Sequence, residues 1–265
     1  MGSNAVIAPQ EKSSSEKRIT DAVVLMAGLG SRLRSSGEKV PKPLIQIAGR
    51  AVFSYTIDAL QRAGVETVHV VTGYNSEALL AGLKPLIPSE MKLHAIHNSE
   101  WKKQNGISVL AAKPYLRAPF LLMMGDHLFG PLIVDLVIED ADLSLLNVAV
   151  DRKLDAIFDL DDAMKIKTNR DRVTEIGKDL KDYDAIDTGL FVCPSEIFDY
   201  LEKAKRGEDC SLADGVRAMA ADGKVRAIDI GDAWWQDIDT PEMLEAAEKV
   251  LSGSRHRFAP GAATP

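Results

Sequence analysis

The chain has 265 residues, 46% of them hydrophobic and 27% charged, with a formal net charge of -7. That apolar content supports one substantial core and favours a single large α/β domain, while the acidic balance argues against sequence-independent nucleic-acid binding, which depends on a positive surface. Cys193 and Cys210 stand in no metal-ligand or C-x-x-C spacing and read as reduced thiols, and no apolar run has the length of a membrane span or the place of a signal-peptide h-region, so the expectation is a soluble, cytoplasmic protein without membrane insertion.

Residues 1–18 are polar and read as a disordered arm. Residues 22–27 form an apolar first strand that empties into Ala27-Gly28-Leu29-Gly30-Ser31-Arg32, followed by Pro41-Lys42-Pro43. Residues 51–63 repeat apolar groups at helical spacing, and Gly64 ends them. Val65 to Thr72 is a second strand, Ser76 is read as capping a helix to Leu83, and Leu93 to His97 is a third strand. Asn105-Gly106 is read as a break before a helix from Ile107 to Leu116. Phe120 to Met124 is a fourth, fully apolar strand ending at Gly125-Asp126-His127, and Pro131 to Ile138 is a helix. Apolar strands alternating with helices argue for a mostly parallel sheet covered on both faces. Ligands of such sheets sit beyond the strands' carboxyl ends, where Gly28–Arg32, Thr72-Gly73 and Asp126 all fall.

The second half reads as β-rich, with strands at Leu145–Val150, Ala156–Phe158, Ala163–Lys167, Val173–Ile176 and Leu190–Cys193. Helices are expected at Ile197–Arg206 and Leu212–Ala221, a strand at Val225–Ile230, and a last helix from Pro241 to Leu251. A disordered tail over 252–265 completes the expectation: one domain over 19–251, divided into a 19–140 half and a 141–251 half.

Gly28-x-Gly30 lacks the third glycine of a dinucleotide fingerprint, and no Gly-Lys-Ser/Thr follows it. Arg32 and the proline-flanked Lys42 add cationic donors suited to phosphate. Asp126, at a strand end after five apolar residues, is expensive there unless paired, hydrogen-bonded or bound to a metal. With Asp237 and Asp239 offering a second carboxylate set, Mg²⁺ is the expected cofactor, because it takes oxygen ligands and often only one or two carboxylates beside substrate phosphates. His127 reads as a packing or hydrogen-bonding residue, and Trp234-Trp235 as core packing. Lys178 is a better ligand candidate than Lys165, which shares a strand face with Lys167. Asp187-Thr188-Gly189 is equally a strand-entry turn or a group of hydroxyl-binding residues.

These segments in this order resemble the NTP-transferase family of sugar-phosphate nucleotidyltransferases, and within it the CTP:inositol-1-phosphate cytidylyltransferases. The resemblance is carried by Ala27–Leu33, Pro41-Lys42-Pro43-Leu44, Asn105-Gly106-Ile107-Ser108, Gly125-Asp126-His127, Met164-Lys165-Ile166-Lys167, Glu175–Lys178, Asp184–Gly189 and Trp235–Pro241, and it spans about residues 20–250. It implies a Rossmann-like nucleotidyltransferase fold and transfer of a nucleoside monophosphate, CMP from CTP, to a phosphorylated alcohol such as inositol 1-phosphate, with release of pyrophosphate. By the resemblance, Arg32 and Lys42 are catalytic; Ala27, Gly28, Leu29, Gly30, Ser31, Thr72, Asn105, Gly106 and Ser108 hold the NTP. Lys165, Lys178, Asp187, Thr188 and Gly189 meet the acceptor, and Asp126, Asp237 and Asp239 hold the metal. Two positions depart from the pattern: Met26 replaces a small residue, and Pro43 stands where inositol-type members carry glycine. Inositol members are often fused to a membrane alcohol phosphotransferase, so the expectation here is either a separate downstream partner of that kind or a different acceptor. The competing acceptors are a hexose 1-phosphate, phosphocholine or an aminophosphonate. A competing class is a non-catalytic nucleotide-sensing subunit.

Overall fold

The computed structural model describes residues 18–28, 40–116 and 119–253. Strand β1 (Asp21–Met26) leads to the hairpin β2 (Gln46–Ile47) and β3 (Arg50–Ala51), then helix α1 (Val52–Arg62). Next come β4 (Thr67–Thr72), α2 (Ser76–Leu83), β5 (Lys92–His97), α3 (Asn105–Ala112) and β6 (Phe120–Met124). The short β7 (His127–Phe129) precedes α4 (Ile133–Asp140), β8 (Leu146–Asp151), β9 (Lys165–Asn169), β10 (Arg172–Gly177) and β11 (Ala185–Cys193). Helices α5 (Glu196–Ala204) and α6 (Leu212–Ala221), strands β12 (Val225–Asp229) and β13 (Trp235–Asp237), and α7 (Pro241–Gly253) complete the described chain.

Nine strands form one sheet in the order β5-β4-β1-β6-β11-β8-β12-β10-β9. The first four are parallel, with the apolar β1 and β6 buried on both faces and the polar β5 at the sheet edge. The sheet as a whole is mixed rather than mostly parallel: β11 runs antiparallel to both β6 and β8, and β10 antiparallel to β12 and β9. This reversal serves the site, because the early residues of β11 thereby reach the rim formed by the carboxyl ends of β1, β4 and β6.

One face of the sheet is covered by α3, α5 and α6 through Ile107, Val109, Phe198, Leu201, Val216 and Met219. The other is covered by α1 and α4 through Phe53, Ile57, Leu60, Ile133 and Val137. A third cluster joins Ile47 of the β2–β3 hairpin, Leu128 of β7, Ile238, and Ala247 and Leu251 of α7. At about 1.5–3 kcal/mol for each large apolar side chain buried, this cluster is what clamps the segment after Lys42 to the segments carrying Asp126 and Asp237.

Three local expectations are corrected. Asn105-Gly106 does not break the chain but opens α3. A Cβ at Gly106 would stand 2.6 Å from the Cys210 carbonyl oxygen, so its glycine serves close packing against the entry to α6. Residues 156–158 are not a strand: a 3₁₀ turn, Leu154–Ala156, is followed by turns in which Ala163 N–H bonds the Asp159 carbonyl. Local turn chemistry of the aspartates prevails there, and Phe158 is left exposed. The residue capping α2 is Asn75, at φ 53, rather than Ser76, whose hydroxyl donates to the Gly73 carbonyl at 2.9 Å. The expected arm and tail lie outside the described residues except for Arg18, which pairs with Glu66, and Ser252-Gly253, which finish α7.

Candidate active site

Two three-residue strands build the centre of the rim. β13 pairs antiparallel with β7, placing Asp237 opposite His127, and Ile238 N–H bonds the Asp126 carbonyl at 2.9 Å. This ribbon brings Asp126 and Asp237 to one place from more than a hundred residues apart. Gly125 lets the turn after β6 lie on β1, since a Cβ there would stand 2.8 Å from the Leu25 carbonyl oxygen. Lys42 opens a 3₁₀ turn, Lys42–Leu44, locked by Leu44 N–H to the Pro41 carbonyl at 2.8 Å. Pro41 and Pro43 fix the turn's dihedrals, and its ammonium reaches between Asp126, at 3.4 Å, and Asp239, with which it makes a close ion pair.

Asp126, Asp237, Asp239, Lys42 and His127 thus form one charged cluster. Burial raises the Asp126 carboxyl, but the charges of His127 and Lys42 outweigh it and hold the group below its ordinary value. Asp237 goes the other way: burial raises it, His127 opposes this, and the neighbouring Asp239 and Asp126 carboxylates raise it further. His127 Nδ1 lies 2.8 Å from the Thr188 carbonyl oxygen, which only accepts, so Nδ1 carries the proton. Its Nε2 faces Asp126 at 3.8 Å. Asp239, expected as a metal ligand, is the partner of Lys42. Among the described residues no three His, Cys, Asp or Glu side chains are close enough to make a metal centre alone.

Two cavities flank the cluster. One of about 100 Å³ is lined by Met26, Gly28, Lys42, Tyr74, Gly125 and Asp126. The other, of about 220 Å³, is lined among others by Asn105, Lys178, Asp187, Gly189, Trp235 and Asp237. Gly189, at φ +77, sits where the β11–β8 register shifts, and a Cβ there would stand 2.6 Å from His127 Nδ1. Burial pushes the Asp187 carboxyl up to about 6, against the Gly189 N–H and the charge of His127, which lower it. A carboxyl raised in the folded state costs stability as pH climbs from its ordinary 3.8 through about 6. Asp187→Asn is therefore expected to melt higher than wild type above pH 7 and at the same temperature near pH 4. Melting curves at the two pH values check this; a uniform difference contradicts it.

Other expected residues stand apart from the cavities. Leu29, Gly30, Ser31 and Arg32 lie outside the described residues. Ala27 is buried, its carbonyl taken by Tyr74 N–H at 3.1 Å. Thr72, Gly106, Ser108, Lys165 and Thr188 line neither cavity. Their hydrogen bonds are internal: Thr72 donates to the Ile96 carbonyl, Ser108 accepts from Asn98, and Thr188 donates to the Ala149 carbonyl. Asn105 does line the larger cavity, its Oδ1 accepting Leu212 N–H at 2.8 Å. Lys165 is corrected most sharply. Its buried ammonium donates to the Asp161 and Lys178 carbonyls at 3.1 and 2.8 Å, so it tethers the loop rather than facing the cavity. Lys178 is half-exposed and paired with Asp162 at 2.5 Å. His127 and Trp235, read from the sequence as hydrogen-bonding and packing residues, do hydrogen-bond and pack, and both also line the larger cavity. Trp235 lines the larger cavity, donates to Asp151 at 3.0 Å and lies with its ring centroid 5.6 Å from that of His127. The adjacency of His127 to Asp126, and of Trp235 to Asp237, was the available signal.

Residues 22–156 match the family model described as the MobA-like NTP transferase domain. The chain belongs to this family. This NTP transferase domain is 34% identical over 248 residues to the bifunctional IPC transferase and DIPP synthase of Rubrobacter xylanophilus, covering 92% of this chain and 55% of that protein. It spans about half the length of the curated relatives it matches. The solved inositol-1-phosphate CTP transferase from T. maritima superposes with a TM-score of 0.78 at 27% identity, covering 93% of this chain and 98% of that one. A UDP-glucose pyrophosphorylase complexed with UDP-glucose reaches a TM-score of 0.76 at 16% identity, over 90% and 100% of the two chains, which establishes the fold alone. The Rossmann-like nucleotidyltransferase architecture is thus that of the family. Among the described residues no helix is long and apolar enough to cross a membrane.

Proposed function

We propose that this NTP transferase domain moves CMP from CTP to inositol 1-phosphate, releasing pyrophosphate. The observation that carries the reaction type is the Lys42–Asp126–Asp237 cluster lying between two cavities at the strand ends. The likeness to an inositol-1-phosphate CTP transferase over nearly the whole of both chains supports the choice of substrates.

In this reading the smaller cavity takes the NTP phosphates, with Gly28 at its edge and Arg32, outside the described residues, adding charge. Lys42 stands at the α-phosphate and offsets the negative charge that grows there in the transition state. The transfer needs alignment and neutralisation more than a protein nucleophile. The donor set fits a hard divalent cation: burial, and then the neighbouring Asp239 and Asp126 carboxylates, raise the Asp237 carboxyl, and oxygen donors of two carboxylates suit Mg²⁺. Asp126 and Asp237 would hold Mg²⁺, which when bound supplies charge neutralisation of the phosphates. The acceptor would lie in the larger cavity, its phosphate on Lys178 and its hydroxyls toward Asp187, while Trp235 walls off water.

Lys165 acts through Lys178. Lys165→Met is expected to raise the KM for the acceptor about tenfold, the order of one lost charged hydrogen bond, with kcat and the KM for CTP little changed. A rise in both KM values would make Lys165 a general structural residue.

Pyrophosphate release tests the assignment. Each of CTP, UTP, GTP and dTTP is offered with inositol 1-phosphate, glucose 1-phosphate, phosphocholine and an aminophosphonate in Mg²⁺. Release that is greatest with CTP and inositol 1-phosphate is expected. Preference for another pair overturns the substrate assignment, and binding without release with every pair favours a nucleotide-sensing role.

A further inference from the structure

Three titratable side chains meet on one face of the sheet in the N-terminal halves of β1, β4 and β5, away from the rim. His69 and His94 are direct partners in the parallel register of β4 and β5. Their Nδ1 atoms face each other at 3.0 Å, with ring planes at 83°. His69 Nε2 lies 2.8 Å from Asp21 Oδ1, and Asp21 Oδ2 in turn accepts from Thr20. His69 is buried, at 4% exposure, whereas His94 is partly open and meets the ring of Tyr115 edge-on at a centroid distance of 4.5 Å.

The hydrogen bonding constrains the protons. A carboxylate accepts, so His69 Nε2 carries a proton donated to Asp21, and the neutral ring is left with a lone pair on Nδ1. His94 Nδ1 lies 3.0 Å from it. At that distance the two nitrogens share one proton, or together bind one metal ion set to the side of the line joining them, and do not carry a proton each. Imidazole nitrogens bind a transition metal at about 2.0–2.1 Å, so two tetrahedral ligands stand about 3.3 Å apart. The observed separation is within a few tenths of an ångström of that. A carboxylate on the far nitrogen of a ligating histidine is the usual orienting partner, and it raises ligand basicity.

We propose that His69 and His94 form a second metal site on this chain, selective for a divalent transition-metal ion of the Zn²⁺, Ni²⁺ or Cu²⁺ type. Both Nδ1 atoms are ligands, Asp21 orients His69, and water completes the shell from the open side beside Tyr115. Two nitrogens and no carboxylate in the first shell disfavour Mg²⁺ and Ca²⁺, which take oxygen. The site is therefore chemically distinct from the carboxylate cluster at the rim, and it stands whether or not the proposed reaction does.

The test uses the untagged full chain with Mg²⁺ in excess to occupy the rim carboxylates. Cu²⁺ is added to one equivalent and followed by electron paramagnetic resonance, and Zn²⁺ is titrated by calorimetry. The wild type is expected to give the coupling pattern of two nitrogens. His94→Ala is expected to lose that pattern and at least about tenfold in Zn²⁺ affinity, and Asp21→Asn about tenfold. Pyrophosphate release by His94→Ala is expected to match wild type. Should His94→Ala melt early, His94→Asn replaces it with the same expectation. Equal Zn²⁺ affinity in wild type and variant, or copper spectra without two-nitrogen coupling, overturns the site and leaves the pair as one N–H···N hydrogen bond.

Discussion

Lys42→Ala is expected to lower kcat by about 10²–10³, the range for removing one preorganised donor from a developing negative charge, while the KM for CTP changes less than about tenfold. The reason lies in what the ammonium faces. In the resting protein it is already neutralised by Asp239 and Asp126, so its attraction for a ground-state triphosphate is partly cancelled. Charge that builds on the α-phosphate in the transition state is new, and an ammonium held by a proline-locked turn meets it without reorganisation. Interactions stronger in the transition state than in the ground state appear in kcat. Steady-state kinetics separate the cases, and an equal loss in kcat and in CTP affinity would make Lys42 a binding group only. The substitution also leaves Asp239 beside Asp126 without its cation, so a modestly lower melting temperature is expected alongside the kinetic loss.

Asp237→Asn carries the second large effect. The amide fills the space of the carboxylate and removes a buried charge, which relieves the cost of burial and, with it, the repulsion from Asp239 and Asp126. The fold should therefore survive, with a melting temperature at or above that of wild type. Turnover is expected to fall by about 10³ or more, on the order of several kcal/mol of lost transition-state stabilisation, and not to recover with added Mg²⁺. Circular dichroism with turnover across a Mg²⁺ series checks both halves. Undiminished Mg²⁺-dependent turnover would remove Asp237 from the proposed metal site. The same assay on Asp239→Asn distinguishes the two aspartates, since Asp239 serves Lys42 and its loss should resemble that of Lys42 in kcat.

Much of this arrangement was legible in the chain itself. β1 and β6 are apolar on both faces, which identified buried parallel strands, and the residues after them fell at the rim by topology alone. Lys42 and Asp126 were visible because a proline-flanked lysine and a strand-end aspartate are each expensive or rigid for a reason. What stayed hidden depends on contacts across long sequence distances. β7 and β13 are three residues each, too short to show a period of two, yet their pairing sets Asp237 beside His127. The Lys42–Asp239 ion pair joins segments nearly two hundred residues apart, and nothing local to either distinguishes a metal ligand from an ion-pair partner. The resemblance put Lys165 at the acceptor, while strand alternation gives only the face of a side chain and not the destination of its ammonium, which is the Asp161 and Lys178 carbonyls. The reversal of β11 likewise rests on tertiary pairing, since its apolar run suits either direction.

In the proposed reaction the transfer across the charged cluster is direct, with both substrates bound at once and no covalent protein intermediate. The stereochemical course at the α-phosphorus measures this most directly. With the α-phosphorus of CTP made chiral by isotopic or sulfur substitution, and inositol 1-phosphate as acceptor, the product is predicted to show inversion of configuration, as one in-line displacement requires. Retention would mean two displacements through a nucleotidyl-enzyme, and would rule out direct transfer.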